Sequence, residues 1–379
     1  MSDPRVLLLH NRYRVHGGEE RAVDLQLGAL ERAGMPCRAL LRESDAAGRP
    51  AAALSLLGGG SHAAEVAAAV RSFGASVVHA HNLQPLFGPS ALHAAREAGA
   101  RIVLTLHNFR LFCAIGVAFR DGETCFRCRG RLTLPGLVLN CRESLAESAV
   151  YAAGLAAHTP SVLAAADVFV TPSSFAAGQL ARLGVPAERL RVLPNYLPAE
   201  SFAASSRADS GTYALVAGRL AVEKGAATAI EAAALSGVPL RVAGEGPLEG
   251  ELRAQAARLD APVEFLGRVD RAGMTELLAG AAAVLVPSPG GDVFPFSALE
   301  AMAVGVPVVA SRTGGLPEMV GPERCVPRGD AEAMADALRR LWDDRALRRT
   351  EGHALIARAG ERFGEERYVA GLRALYAEA

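Results

Sequence analysis

Short runs of β-branched and leucine-rich residues recur along the chain, each ending in polar residues or glycine and each followed by an alanine-rich stretch with helical spacing. In the first half the runs are Val6 to His10, Val77 to His81, Ile102 to His107, Val168 to Pro172 and Arg191 to Pro194. In the second half they are Tyr213 to Gly218, Leu240 to Gly244, Val263 to Gly267, Ala283 to Pro287 and Pro307 to Ser311, with intervening helices such as Leu248 to Leu259. The runs are apolar throughout rather than alternating. That is how strands read when helices cover both faces of a parallel sheet. The pattern predicts an α/β protein of two Rossmann-like units in tandem. Between them, 199–211 is small and polar with Pro194 and Pro198 just ahead of it, which is linker chemistry. The expected division is an N-terminal domain over 1–200 and a C-terminal domain over 201–362. A terminal segment, 363–379, carries a last helix from Glu365 to Ala379 that can pack back on the N-terminal domain.

Composition narrows the classes. Half of the 379 residues are apolar, enough for two buried cores. Lys plus Arg and Asp plus Glu both number 40, so no bulk charge draws the chain onto nucleic acid, and a charged partner has to be held locally. No stretch of about 18 apolar residues is free of charges or breakers. The expectation is therefore no membrane span, with association at most peripheral. The first residues run straight into the Val6 strand without an apolar leader, and the expected compartment is the cytoplasm.

In open parallel sheets, ligands bind beyond the carboxyl ends of the strands. Polar residues gather there in this chain: His10-Asn11, His79-Ala-His81-Asn82, His107-Asn108, Asn195, Gly218-Arg219, Gly244-Glu245-Gly246 and Pro287-Ser288. The strongest constellation is Gly218-Arg-Leu-Ala-Val-Glu-Lys224, a strand end with Arg219, a turn, and Lys224 at a helix start. Two fixed cations can stabilise the charge that grows on a departing diphosphate without a divalent ion. The second constellation runs from Gly290 to Gly305. There Pro295 suits the first helical position, and the amides of Phe296, Ser297 and Ala298 form an exposed helix start fit for phosphate. Glu300, one turn in, suits ribose hydroxyls, and Asp292 can accept hydrogen bonds from a sugar. His16-Gly17-Gly18-Glu19-Glu20 follows the first strand and opens a helix, letting a backbone approach phosphate or sugar. A dinucleotide G-x-G-x-x-G is absent, since Gly244-Glu-Gly246-Pro-Leu-Glu249 keeps only its first two glycines; this argues against a dehydrogenase.

Taken in order and spacing, these motifs resemble the GT-B retaining glycosyltransferases called family 4. The shared elements are the Gly-Gly-x-Glu turn, Thr105-Leu-His107, Gly218-Arg219 with Lys224, Gly244-Glu-Gly246-Pro247, and Glu300-Ala-Met-Ala-x-Gly-x-Pro307. The resemblance spans nearly the whole chain and implies two facing Rossmann-like domains whose closure completes a site. It implies a sugar moved from a nucleotide-diphosphate sugar, UDP-hexose most often and GDP-sugar in some members, to an acceptor hydroxyl with anomeric configuration kept. By the same resemblance His107, Asp292, Arg219 and Lys224 are the catalytic group. Gly17, Gly18, Gly218, Gly244, Glu245, Phe294, Phe296, Ser297 and Glu300 join Arg219 and Lys224 around the donor. Glu19, His81, Asn82, Asn108 and Asn195 lie on the acceptor side, for a small-molecule, glycan or lipid-linked acceptor. No divalent metal is implied for the donor. Where the family usually carries Glu, this chain has Asp292, one methylene shorter, which changes the reach toward the sugar. Two other readings use the same residues: a nucleotide-sugar epimerase or hydrolase of this architecture, and a non-catalytic nucleotide-sugar-binding subunit.

Four of the six cysteines crowd into one segment: Cys113, Cys125-Phe-Arg-Cys128 and Cys141. The central C-x-x-C is the spacing of a zinc knuckle, so a structural zinc is expected, with reduced thiols as the alternative. The segment holds Arg110, Arg120, Arg127, Arg129, Arg131 and Arg142, which suits an anionic acceptor or a solvated basic face. His79 and His81 share one strand face with no third ligand nearby in sequence, and are expected to hydrogen-bond rather than bind metal.

Overall fold

The computed structural model describes residues 3–13, 17–44 and 48–378. Its strands in chain order are β1 (Val6–Arg12), β2 (Cys37–Glu43), β3 (Val77–Ala80), β4 (Arg101–Thr105), β5 (Phe119–Arg120), β6 (Glu123–Thr124), β7 (Val168–Thr171), β8 (Leu190–Val192), β9 (Tyr213–Ala217), β10 (Leu240–Ala243), β11 (Val263–Gly267), β12 (Ala281–Val286), β13 (Val308–Ser311) and β14 (Cys325–Val326). Two six-stranded sheets result, ordered β2-β1-β3-β4-β7-β8 and β11-β10-β9-β12-β13-β14. Every pairing within them is parallel.

All ten runs read from the sequence are strands. The reading missed the edge strands β2 and β14, while the ends of the runs it gave fall close to those observed, β11 matching at both. β2 is Cys-Arg-Ala-Leu-Leu-Arg-Glu, half-exposed along its length, so it lacks the continuous apolar run that betrayed the central strands. By contrast, β12 is buried at all six positions. The Asp121-Gly122 pair turns β5 into β6 with φ of 52° and 76°, the left-handed pair that a two-residue hairpin needs.

The chain divides into two compact units: 3–118 with 125–196 and 365–379, and 119–124 with 197–364. In the first, the final helix (Glu365–Glu378) docks through Tyr368, whose hydroxyl donates to Gln26 Oε1 at 2.8 Å, and through Glu365, which pairs with Arg32 at 2.6 Å. In the second, a core of Ala229, Ile230, Leu240, Val242, Leu285 and Met334 lies under the sheet. The segment read as a linker packs into this unit. Ser206 donates to the Gly305 carbonyl at 2.5 Å, and a Cβ on Gly211 would stand 2.3 Å from the Ala282 nitrogen. Its small residues are there because backbone passes close by, a cause that composition alone does not separate from flexibility.

Candidate active site

Each sheet has a point where the chain reverses its direction of winding, between β1 and β3 in the first unit and between β9 and β12 in the second. The crevices beyond these strand ends are where α/β sheets hold ligands. Both are lined by the residues singled out in the sequence.

In the second unit, β9 delivers Arg219 and, after a tight turn, Lys224. β12 delivers Ser288 and the loop carrying Asp292. Lys224 Nζ lies 2.6 Å from Asp292 Oδ1, and Ser288 Oγ donates to Asp292 Oδ2 at 2.5 Å. Thr313 holds this loop by donating to the Ser288 carbonyl at 2.8 Å, and the Gly315 amide donates to the Asp292 carbonyl at 2.8 Å. Asp292 is thus fixed at its backbone and at both carboxylate oxygens. Arg219 is half-exposed and pairs with Glu223, leaving part of its guanidinium open to solvent. Gly225 makes the turn possible: its φ is 70°, and a Cβ there would lie 2.3 Å from the Pro287 carbonyl oxygen. The helix after Asp292 spans Phe296–Ala303, with Pro295 as the capping residue rather than the first helical one. Ser297 and Glu300 fall on its first turns. The rings of Phe294 and Phe296 are buried, Phe294 edge-on to Phe363 at 5.3 Å, so these two residues can offer a ligand only their backbone. Gly244 and Glu245 are occupied structurally. Gly244 sits against the Gly218 carbonyl, and Glu245 accepts from the Arg268 amide at 3.3 Å.

In the first unit the histidines form a column drawn from three strand ends. His79 and His81 stack at 4.8 Å, His81 and His107 at 5.1 Å, and His10 meets His81 edge-on at 6.2 Å. His79 is anchored by Tyr376 and Gln26, each 2.8 Å from Nδ1, and by Thr105 at 2.7 Å from Nε2. The hydrogen-bonding role expected for His79 and His81 is what the geometry shows, and His81 Nδ1 lies 2.8 Å from His107 Nε2. Burial, then the neighbouring His107, pushes the His79 ring down to about 3, and burial followed by His10 does the same to His107. Both rings are therefore neutral near pH 7.

A cleft of about 640 Å³, counting the space open to solvent, adjoins this column. Its polar end is lined by Tyr13, Glu19, His81, His107, Asn108 and Arg110. Glu19 Oε2 accepts from Tyr13 Oη and from Asn108 Nδ2, both at 2.8 Å, while Arg110 Nε donates to Tyr13 Oη at 3.1 Å. Burial raises the Glu19 carboxyl above the usual range. For its neighbour Glu20 burial also disfavours the charge, but the His10 ring and the amides of Tyr13 and Gly17 outweigh it and hold that carboxyl low. Asn82 lines the cleft too, donating to the Asn11 carbonyl at 2.7 Å. Asn195, expected beside it, lies past β8 and is not among the lining residues. Tyr13 and the buried role of Arg110 were missed in the sequence, because neither belongs to a spaced motif. Gly17 and Gly18 open the helix Gly18–Arg32. His16 of the same motif lies outside the described residues.

The six cysteines are unbridged. The amides of Ile115, Gly116 and Ala118 face the Cys113 thiol, and Cys128 Sγ is 3.8 Å from the Thr133 carbonyl. Among the described residues, no group of three or more His, Cys, Asp or Glu side chains is arranged to hold a metal ion. Likewise, no described helix is long and apolar enough to cross a membrane.

The neutral histidines set a pH dependence. In the unfolded chain such rings take up a proton below about 6.5. In the fold His79 and His107 refuse it until about 3. The folded value lies below the unfolded one, so stability present above pH ~6.5 is lost as pH falls toward 3, with Glu19 opposing the trend. Denaturant midpoints measured from pH 7 to pH 4 should fall steadily, and less steeply in His107→Gln. A flat profile in the unmodified protein would contradict neutral, buried rings.

Two parallel-sheet units with these crevices define the GT-B class of α/β proteins. Sucrose-phosphate synthase of Thermosynechococcus elongatus superposes over 99% of this chain and 98% of its own, with a TM-score of 0.72 at 21% identity. Anabaena HepE, crystallised in complex with UDP, superposes over 99% of this chain and all of its own, with a TM-score of 0.68 at 19% identity. Family models named glycosyl transferase 4-like domain and glycosyl transferases group 1 match residues 14–196 and 211–344. The chain belongs to the group 1 glycosyl transferases. Among curated proteins it is 40% identical over 131 residues to the GDP-mannose-dependent α-(1-6)-phosphatidylinositol dimannoside mannosyltransferase of Mycobacterium tuberculosis, covering 33% of this chain and 34% of that one. It is 38% identical over 181 residues to an exopolysaccharide phosphotransferase of Streptomyces coelicolor, covering 45% of this chain and 19% of that protein. The matched regions thus span between a fifth and about a third of these two relatives.

Proposed function

We propose that the protein transfers a hexose from a nucleotide-diphosphate sugar to an acceptor hydroxyl with retention of anomeric configuration, the second unit holding the donor and the first the acceptor. The observation that carries this reading is the convergence of Arg219, Lys224 and Asp292 beyond β9 and β12. Arg219 and Lys224 take the diphosphate and stabilise the charge that grows as its bond to the sugar breaks, helped by the amides that open the Phe296 helix. Asp292, with both oxygens fixed, holds the donor sugar, and Glu300 the ribose. No divalent ion is needed in this scheme, because the two cations do its electrostatic work. On the acceptor side, His81 Nε2 is buried without a hydrogen-bond partner although the residue lines the cleft, and a substrate hydroxyl would satisfy it. His107, neutral, can hydrogen-bond a sugar without adding charge.

UDP-hexose is the donor the sequence resemblance favours. GDP-mannose is supported by a separate observation, the GDP-mannose dependence named for the mycobacterial relative. Thermal stabilisation against UDP, GDP and their hexoses in the presence of EDTA tests both, followed by product analysis with neutral and phosphorylated acceptors. One nucleotide should raise the midpoint. No response to any nucleotide would overturn the transferase reading, and nucleotide release that needs no acceptor would replace it with a hydrolase.

A further inference from the structure

Ten large hydrophobic side chains are exposed among the described residues, and four of them fall within one short stretch: Leu132, Leu134, Val138 and Leu145 at 51%, 58%, 72% and 65% exposure. Leu134 and Val138 are four apart on the short helix Leu134–Val138 and so share a face. Leu145 opens the long helix Leu145–Ala165, against which that short helix packs. Thr133 fixes the packing by donating to the Ala152 carbonyl at 2.6 Å. The apolar side chains are thus displayed from an anchored platform.

The charges around them are mostly positive. From 125 to 145 the chain carries Arg127, Arg129, Arg131 and Arg142 against the single acid Glu143, in a protein whose formal net charge is zero. Arg142 is engaged with Glu147 and lies over the Tyr151 ring. Arg127, Arg129 and Arg131 are exposed. Leucine and valine flanked by arginine, with almost no acid, form an amphipathic surface complementary to anionic headgroups over an apolar interior. A hydrophobic patch of this kind on a folded protein marks an interaction site.

We propose that the segment 127–145 is a docking surface for an anionic lipid bilayer, with Leu134, Val138 and Leu145 entering the headgroup boundary and Arg127, Arg129 and Arg131 pairing with lipid phosphates. This is peripheral docking, with no helix crossing the bilayer. It is independent of which donor the second unit binds.

The test is co-sedimentation of the full chain with vesicles of phosphatidylglycerol and phosphatidylcholine, against vesicles of phosphatidylcholine alone. Binding should be confined to the anionic vesicles and weaken as salt is raised. The pair Leu134→Asp/Val138→Asp should lower the partition coefficient at least about tenfold, and Arg127→Gln/Arg129→Gln/Arg131→Gln by about a hundredfold. Both variants change exposed positions, and an unchanged thermal midpoint would show that they fold. No binding by the unmodified protein, equal binding to both vesicle types, or binding unchanged in the folded variants would each overturn the proposal. So would a dimer in solution that the Leu134→Asp/Val138→Asp pair dissociates without any vesicle binding, since the patch would then serve a second copy of this chain.

Discussion

Replacing Arg219 and Lys224 together with alanine should abolish nucleotide-dependent thermal stabilisation and lower kcat/KM for sugar transfer by about 10²- to 10⁴-fold. The range follows from two charge-assisted contacts worth roughly 1.5–3 kcal/mol each, at about 1.4 kcal/mol per decade of rate. The fold itself should survive. Arg219 is half-exposed in its pair with Glu223, and Lys224 is a third exposed in its pair with Asp292, so screening by solvent keeps the stability change within about 1 kcal/mol. Loss of activity with an intact unfolding midpoint is therefore the expected signature. A double variant that keeps its nucleotide response would remove these cations from the donor site, and the proposed function with them.

Gly244→Ala is the second large effect, and it acts on stability. Gly244 has φ of +144°, and a Cβ there would lie 1.9 Å from the Gly218 carbonyl oxygen, which is backbone and cannot swing aside. The contact interlocks the ends of β9 and β10: the Gly218 amide donates to the Ala243 carbonyl at 3.0 Å and the Leu220 amide to Glu245 at 2.9 Å. Alanine has to push the two strand ends apart, at a cost of about 3 kcal/mol or more. Gly237→Ala is the control. Its φ is also positive, at 72°, but nothing lies within 4 Å, so only the left-handed strain of about 1–2 kcal/mol remains. Trp342 is the single tryptophan and packs against the second unit's core, so its fluorescence in a denaturant titration follows that unit. Equal midpoints for the two variants would show that the strand ends yield more easily than their contacts imply. Because Gly244 braces the turn that presents Arg219, its variant should also weaken nucleotide response. Its place in the donor motif thus has a packing cause as well as a ligand-facing one.

The sequence was most legible where chemistry and periodicity are contiguous. A buried parallel strand is an unbroken apolar run, so β1, β9 and β12 announced themselves. The edge strand β2 carries two arginines and a glutamate on half-exposed positions, and no such run exists to find. The turn at Asp121-Gly122 is local in the same way, two residues side by side at positive φ. The composition of 199–211 fits both a flexible linker and a tight crossing, so small residues alone do not tell the two apart.

The sequence by itself determined the α/β class, ten of the twelve strands of the two sheets, and the pair of cations after β9 with the acid after β12, since each rests on residues within one turn or one strand. Tertiary structure decided what those residues do together. Lys224 reaches Asp292 across 68 residues because β9 and β12 are neighbours at the sheet's reversal. The histidine column likewise assembles from the ends of β1, β3 and β4, and the final helix, rather than anything adjacent in sequence, supplies Tyr376 to His79. Strand order and long-range packing are set by the burial of whole faces against one another, a balance over the entire chain that no local run of residues encodes.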